Sequence, residues 1–301
     1  SYMKKRNILG LLLGKIVFLI GLFIASCSNN PLNNSNEQHA DSLLNAGRKK
    51  LFTDIPASKK DLIEAMKYTK DSMKYYDAFE AYATLYFLEN KYDSGLAMKQ
   101  KIITAFKQQP ESTRKKELLA SVYNSFGVYY AQMNKPDSAI IFLQKSLQCP
   151  PTTENKPDIY INLSDQYKFK GDLSTAAYYL RLALSVSDSF DLDKFKFPIY
   201  FGLGHIYLGL RDFKQADEYY QRAEKDYANR RFDEKVIFNN NRGNYYYYKK
   251  EYKKALACFK RAEKDLESTE YDFFKNMVYA NMSDVYLNLN QLDSCKYYYE
   301  K

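Results

Sequence analysis

Residues 197–220 read FPIYFGLGHIYLGLRDFKQADEYY. This is the pattern of two helices joined by a turn, with one small residue on each, Gly204 and Ala216, and a large one, Tyr207, late in the first. With Phe197 as position 1, these residues occupy positions 8, 20 and 11. Small side chains at 8 and 20 let two antiparallel helices approach closely, and a ring at 11 fills the space beside them. The unit recurs at separations of 37 to 44 residues, starting at Tyr76, Ala120, Pro157, Phe197, Val236 and Asn276. A period of this size marks a solenoid. Position 8 is Ala83, Gly127, Ser164, Gly204, Gly243 and Ser283, and position 11 is Tyr86, Tyr130, Tyr167, Tyr207, Tyr246 and Tyr286. Position 20 reads Gly95, Ala139, Ala176, Ala216, Ala255 and Cys295. The large residues at position 24, Leu143, Leu180, Tyr220, Phe259 and Tyr299, are expected to pack against the following unit. Repeat five carries Asn239 and Arg242 at positions 4 and 7, where apolar residues belong. Either its helix is rotated locally or these side chains have partners, because burying them unpaired is costly.

Composition agrees with an all-α chain. Of 301 residues, 46% are hydrophobic and 27% charged, which argues against global disorder. Thirty Tyr and nineteen Phe with no Trp, beside only 11 Gly and 8 Pro, favour long helices and short turns. Of the formal charge of +9, the four cations Lys4, Lys5, Arg6 and Lys15 lie in the first 26 residues, leaving +5 on the rest. There the charges interleave, as in Lys260, Arg261, Glu263, Lys264 and Asp265, which is a solvated helix face and not the basic stripe of a nucleic-acid surface. Upstream of residue 76, Ala40, Leu43, Leu44, Gly47 and Leu51 form an apolar stripe, and Leu62, Ala65, Met66 and Thr69 supply its partner, so 37–75 reads as a divergent helical repeat. The array of about six repeats then fills 76–301. Its last unit stops at Lys301, inside the second helix, and reads as truncated.

The pattern over 76–301 resembles the tetratricopeptide repeat family. It departs from the family in having Tyr123, Tyr160, Tyr200 or Tyr279 at position 4 in place of Trp, in spacings above the usual period, and in a closing Pro kept only at Pro151. The resemblance implies a right-handed superhelical solenoid of antiparallel helix pairs, with a concave groove that holds a protein or peptide partner. It also implies the groove residues. Asn162, Asn241 and Asn281 at position 6 would form a ladder to a peptide backbone, joined by Asn124, Asn240, Asn244, Asp165 and Asp284 at positions 5 and 9. Amide side chains both donate and accept, so they suit a backbone without dictating its side chains. Phe169, Phe201, Tyr247 and Tyr248 would add apolar area, and His205 at position 9 faces the same side. The subclass that clamps a terminal carboxylate is not matched, because its basic positions hold Asn124, Ile161, Phe201 and Asn240.

Catalytic signatures are missing from the sequence. It has no GxGxxG, Walker-type loop, HExxH or GxSxG. The cysteines at 27, 149, 258 and 295 form no CxxC, and only His39 and His205 are present, so neither a metal nor a cofactor is expected. The expectation is a binding protein and not an enzyme.

The first residues read as an address. Lys4-Lys5-Arg6 precedes a mostly apolar run from Ile8 to Ala25, the layout of a secretory signal. The run closes on Ile24-Ala25-Ser26-Cys27, which resembles the lipobox of bacterial lipoproteins. That resemblance implies a signal peptide over 1–26, lipidation of Cys27, and a polar tether over 27–36. Ser28 following the Cys is similar to outer-membrane sorting, facing the periplasm. The Asp-Ser openings at Asp93-Ser94-Gly95, Asp137-Ser138-Ala139 and Asp293-Ser294-Cys295, with the Tyr-rich and Asn-rich style, resemble tetratricopeptide arrays of Bacteroidetes envelope regulators. Two functions are in view. One is a lipid-anchored scaffold in the cell envelope, and the other is the periplasmic sensor half of a longer regulator or kinase.

Overall fold

The computed structural model describes residues 31–51, 53–149, 153–266 and 272–301. Among them every regular element is helical, with fourteen α-helices and three short 3-10 turns. The chain divides into two compact units, Ser1–Ser125 and Phe126–Lys301. In order, the helices are α1 (Pro31–Lys50), α2 (Ile55–Tyr68), α3 (Ser72–Leu88), α4 (Tyr92–Phe106), α5 (Thr113–Gln132), α6 (Pro136–Gln148) and α7 (Lys156–Phe169). They continue as α8 (Leu173–Ser189), α9 (Lys196–Gly209), α10 (Phe213–Glu224), α11 (Phe232–Tyr248), α12 (Tyr252–Leu266), α13 (Asp272–Asn288) and α14 (Leu292–Glu300). Starts are set locally. The carboxylates of Asp54, Asp71, Asp172 and Asp212 accept first-turn backbone N–H groups of α2, α3, α8 and α10. Pro31 opens α1, so residues 31–36, expected within the tether, are helical; proline suits a first turn because its missing N–H would have had no partner there. Cys27, the signal segment 1–26 and Pro151 lie outside the described residues.

The turn inside each repeat has one geometry. Position 15 is Asn90, Asn134, Gly171, Arg211, Lys250 and Asn290, and all six have positive φ, between 57° and 81°. The next N–H reaches back to the carbonyl of the position-11 tyrosine at 2.7–2.9 Å, from Lys91, Lys135, Asp172, Asp212, Glu251 and Gln291. The position-15 N–H bonds the position-12 carbonyl. This paired closure satisfies helix-end carbonyls and reverses the chain. Only Gly171 adopts the left-handed backbone at no steric cost, and asparagine tolerates it.

The expected close approach is present, with a different partner. A Cβ on Gly127 would lie 2.6 Å from Leu143, and one on Gly204 would lie 2.8 Å from Tyr220; on Gly243 it would run into Phe259. Position 24 therefore covers position 8 of its own repeat and is not reserved for the following unit. It reaches the following unit as well. Leu143 packs with Ile159 and Leu163, Leu180 with Ile199 and Leu203, and Phe259 with Val278 and Met282. Tyr299 has no such cover and is 83% exposed. The hydrophobic cores thus lie at junctions between successive repeats, as in a quasi-one-dimensional stack. The pair α1–α2 repeats this contact in the first unit, where Leu62 lies over Gly47 and Ser58 Oγ donates to the Gly47 carbonyl at 2.8 Å.

Two places put charge where this pattern wants carbon. In repeat one, position 24 is Lys99, fully buried, and its Nζ donates to Glu80 Oε1 at 2.5 Å and to Thr84 Oγ1 at 2.9 Å. Burial alone raises the Glu80 carboxyl, but the Lys99 charge and hydrogen bonds from Lys99 and Ser121 outweigh it and hold it below the usual carboxylate range. At neighbouring Asp77 burial wins over Arg114 and Arg48, and the carboxyl is raised. In repeat five, Asn239 and Arg242 have found partners. Asn239 Nδ2 donates to the Tyr227 hydroxyl at 2.6 Å, and that hydroxyl donates to Asp265 Oδ2 at 2.9 Å. Arg242 lies 3.5 Å from a Glu224 carboxylate oxygen and over the Tyr246 ring.

Lys250 takes the left-handed position with φ 60° and has no carboxylate or ring partner among the described residues. Relief of the left-handed penalty, about 1–2 kcal/mol, less the extra chain entropy lost by glycine, leaves Lys250→Gly stabilising by about 0.5–1 kcal/mol. Thermal denaturation followed by circular dichroism should show a rise in Tm of about 2 °C, and a fall would mean the turn does not hold this strain.

Candidate functional site: the first-helix face of the second unit

In the second unit the first helices of successive repeats touch one another, α7 to α9, α9 to α11 and α11 to α13. They form one layer, with α8, α10 and α12 behind. Groove positions 5, 6, 9 and 13 all project from this layer, because residues three or four apart share a helix face.

The layer holds a cavity of about 400 Å³ lined by Ala131, Asn134, Pro136, Asp165, Gln166, Lys168, Phe169 and His205. Three repeats build it. Asn134 and Pro136 come from the turn between α5 and α6, Asp165 to Phe169 form the last turn of α7, and His205 stands on α9. Phe169 is 62% exposed, an unusual position for a phenyl ring with no cover. Asp165 Oδ1 accepts from Lys168 Nζ at 2.7 Å, so the charged rim is internally neutral. His205 Nδ1 is buried without a hydrogen-bond partner. Burial, followed by the nearby Lys168 charge, pushes the imidazole down to about 4 against a weaker upward pull from Asp165. At neutral pH this is an uncharged ring with one unused hydrogen-bonding nitrogen in a cavity floored by an exposed phenyl.

Asp165, Phe169 and His205 are thus brought together as the sequence suggests, whereas the asparagine ladder is uneven. Asn281 Nδ2 donates to Asn240 Oδ1 at 2.7 Å, and Asn240 is 3% exposed, so these two amides hold neighbouring repeats together. Asn162 is also engaged in an interaction. Asn241 and Asn244, half-buried on α11, have no side-chain hydrogen bond among the described residues and remain open to a ligand. Phe201 stacks on Phe197 at 6.2 Å and belongs to the junction core, because the ring it meets on the next repeat is Phe238. Tyr247 receives a hydrogen bond from Asn288 Nδ2 at 3.2 Å, and Tyr248 lies under the Arg211 guanidinium. Asp284 is exposed, and Asn124 falls in the first unit.

Sequence reading missed the remaining cavity residues. Asn134 and Pro136 carry a turn signal, and Lys168 follows Asp165 by one helical turn, so the signal existed but only the fold joins them. It also missed position 23. There Phe142, Tyr179, Tyr219 and Tyr298 stack on the position-11 tyrosines with centroids 5.2–5.6 Å apart and planes within 17°.

The tetratricopeptide repeat family model matches residues 120–152 and 197–225, which begin where repeats two and four begin. The chain carries tetratricopeptide repeats. No curated protein matches it. Among solved structures, the apo quorum sensor NprR of B. thuringiensis is similar with a TM-score of 0.67 and 15% identity, over 89% of this chain and 75% of its own. NprR with its cognate peptide NprX gives 0.62 and 15%, over 86% and 75%. Pseudomonas aeruginosa pilF gives 0.56 and 14%, over 80% and 98%. At these identities the likeness is one of fold, an all-α solenoid of helix pairs.

His205 offers a pH test of the cavity. Its folded pKa lies below the unfolded value of about 6.5, so the unfolded state binds more protons between these values and stability falls as pH drops from 6.5 toward 4. Denaturant midpoints at pH 7 and pH 5 should differ less in His205→Gln than in the unsubstituted chain. Equal differences would place the imidazole in contact with water.

Proposed function

We propose that the chain is a non-catalytic scaffold that binds an extended peptide or protein segment across the first-helix layer of its second unit. The observation that carries the reading is the exposed Phe169 at the wall of the 400 Å³ cavity, beside the orphaned Nδ1 of His205. A ring exposed at a cavity is a contact surface waiting for an apolar side chain, and a buried nitrogen without a partner gains a hydrogen bond when a donor or acceptor arrives. Asn241 and Asn244 further along the layer can pair with a peptide backbone. Repeat arrays that bind peptides support the reading, as the complex of NprR with NprX does for the same fold. Fold alone does not set function, and the cavity is the feature of this chain that calls for a ligand. Peptides selected from a random display library should lose at least tenfold in affinity to Phe169→Ala, with far-UV circular dichroism unchanged, in a fluorescence anisotropy titration. Peptides that bind the variant equally well would move the site elsewhere.

We further propose that this scaffold is held at the bacterial envelope by lipid on Cys27. The support is the order Lys4-Lys5-Arg6, apolar run, Ile24-Ala25-Ser26-Cys27 in the sequence. Acyl chains contribute roughly 0.8 kcal/mol per buried CH₂, so two or more on one residue give durable anchoring. Metabolic labelling with an alkynyl fatty acid should mark the chain, and Cys27→Ser should abolish the label and move the protein out of the membrane fraction. Retention of that variant in the membrane would replace the lipid with an uncleaved signal helix.

A further inference from the structure

A second cavity, separate from the first-helix groove, lies at the opposite end of repeat four. It measures about 440 Å³ and is bounded by the 3-10 turn Asp193–Phe195, the first turn of α9, the end of α10 and the segment that follows it. Its lining holds five cations against two carboxylates, Asp193 and Asp226. Pairing accounts for some of that charge. Lys196 Nζ sits 2.9 Å from Asp193 and 3.3 Å from Asp188, Arg222 pairs with Glu218 at 2.6 Å, and Arg230 pairs with Asp226 through Nη2. The remainder is unmet. Exposed Lys194, whose Nζ lies 4.9 Å over the Phe195 ring, and exposed Lys225 have no carboxylate partner among the described residues, and Arg230 Nε is buried with no acceptor. The Arg230 guanidinium covers the buried Phe197 ring at 4.9 Å, which leaves half-buried Tyr200 as the aromatic surface of the cavity.

A buried N–H donor without an acceptor costs free energy that a bound oxygen recovers. Arginine and lysine together around one space recognise an oxyanion, the arginine by its fork and the lysines as point charges. Two ammonium groups without a carboxylate partner on the lining of the same cavity match a dianion better than a monoanion. The volume exceeds that of a bare oxyanion and falls in the range of small-molecule sites, so the ligand also has a body to lie against the Tyr200 ring. We propose that this cavity binds a small organic phosphate monoester, with the phosphate at Arg230, Lys225 and Lys194 and a flat apolar body against Tyr200.

The test is isothermal titration of the full 301-residue chain at low salt with three probes: phenyl phosphate, benzoate and inorganic phosphate. Phenyl phosphate should bind at one site at least tenfold more tightly than either of the others, since benzoate lacks the second charge and inorganic phosphate lacks the ring. Lys225→Gln and Arg230→Gln should each weaken it tenfold or more. Lys225→Gln leaves every ion pair described above intact, so its effect is free of folding damage. Lys296→Gln, at an exposed lysine on α14, should leave binding unchanged. Equal affinity for benzoate, unaltered binding in Lys225→Gln, or the same loss in Lys296→Gln would each overturn the assignment. Peptides selected on the groove should bind equally with and without saturating phenyl phosphate, and competition between them would merge the two sites and overturn their separation.

Discussion

The structure depends on how closely two helices can lie within one repeat. A missing or minimal side chain at position 8 admits a large one from position 24, as Gly127 admits Leu143 and Gly204 admits Tyr220. Once the large residue is seated there, its far side becomes the wall against which the next repeat builds its core. One contact therefore closes the repeat and also presents it to its neighbour. Dispersion is the force at work, and it falls off steeply with a gap of an ångström, so the small residue is needed at nearly every repeat. The turn at position 15 serves the same end, because the left-handed residue sets where the second helix starts relative to the first. Nature has placed lysine and arginine at two of these turns, so the backbone there is held by tertiary packing against local preference.

Deviations from the apolar pattern bring partners with them, although Asn239 Oδ1 and Arg242 Nη1 have no hydrogen-bond partner among the described residues. Lys99 in place of a large apolar residue brings Glu80, Thr84 and Ser121 with it, and Asn239 brings Tyr227 and Asp265. A buried pair of this kind contributes little net stability against an apolar pair of similar volume, but losing one member strands the other. The bonds of Ser121 to Glu80 and of Asn239 to Tyr227 tie successive repeats together. Asn240 and Asn281 do the same work across repeats five and six. The residues left over after this accounting are the informative ones. Among them, Phe169 and His205 Nδ1 meet at one cavity, and Arg230 Nε and Lys225 at another.

The helix-pair fold was written in the sequence. Positions 8, 11 and 20 recur in register, and the contacts they encode lie between residues about a dozen apart, so spacing alone predicts them. Even the tyrosine row at 11 could be placed, although its stacking partner at 23 went unread because that position alternates with methionine and cysteine. The binding face was only partly legible. An asparagine in the sequence does not show whether its amide faces a ligand or a neighbour 41 residues away, and Asn240 and Asn281 turned out to face each other. Phe201 likewise looks no different from Phe169 on paper, yet one is packed against Phe238 and the other is bare. Local spacing determined the repeat, because each helix pair closes on its own residues. Tertiary structure alone decided which polar and aromatic groups stay free, because that depends on what the next repeat brings against them.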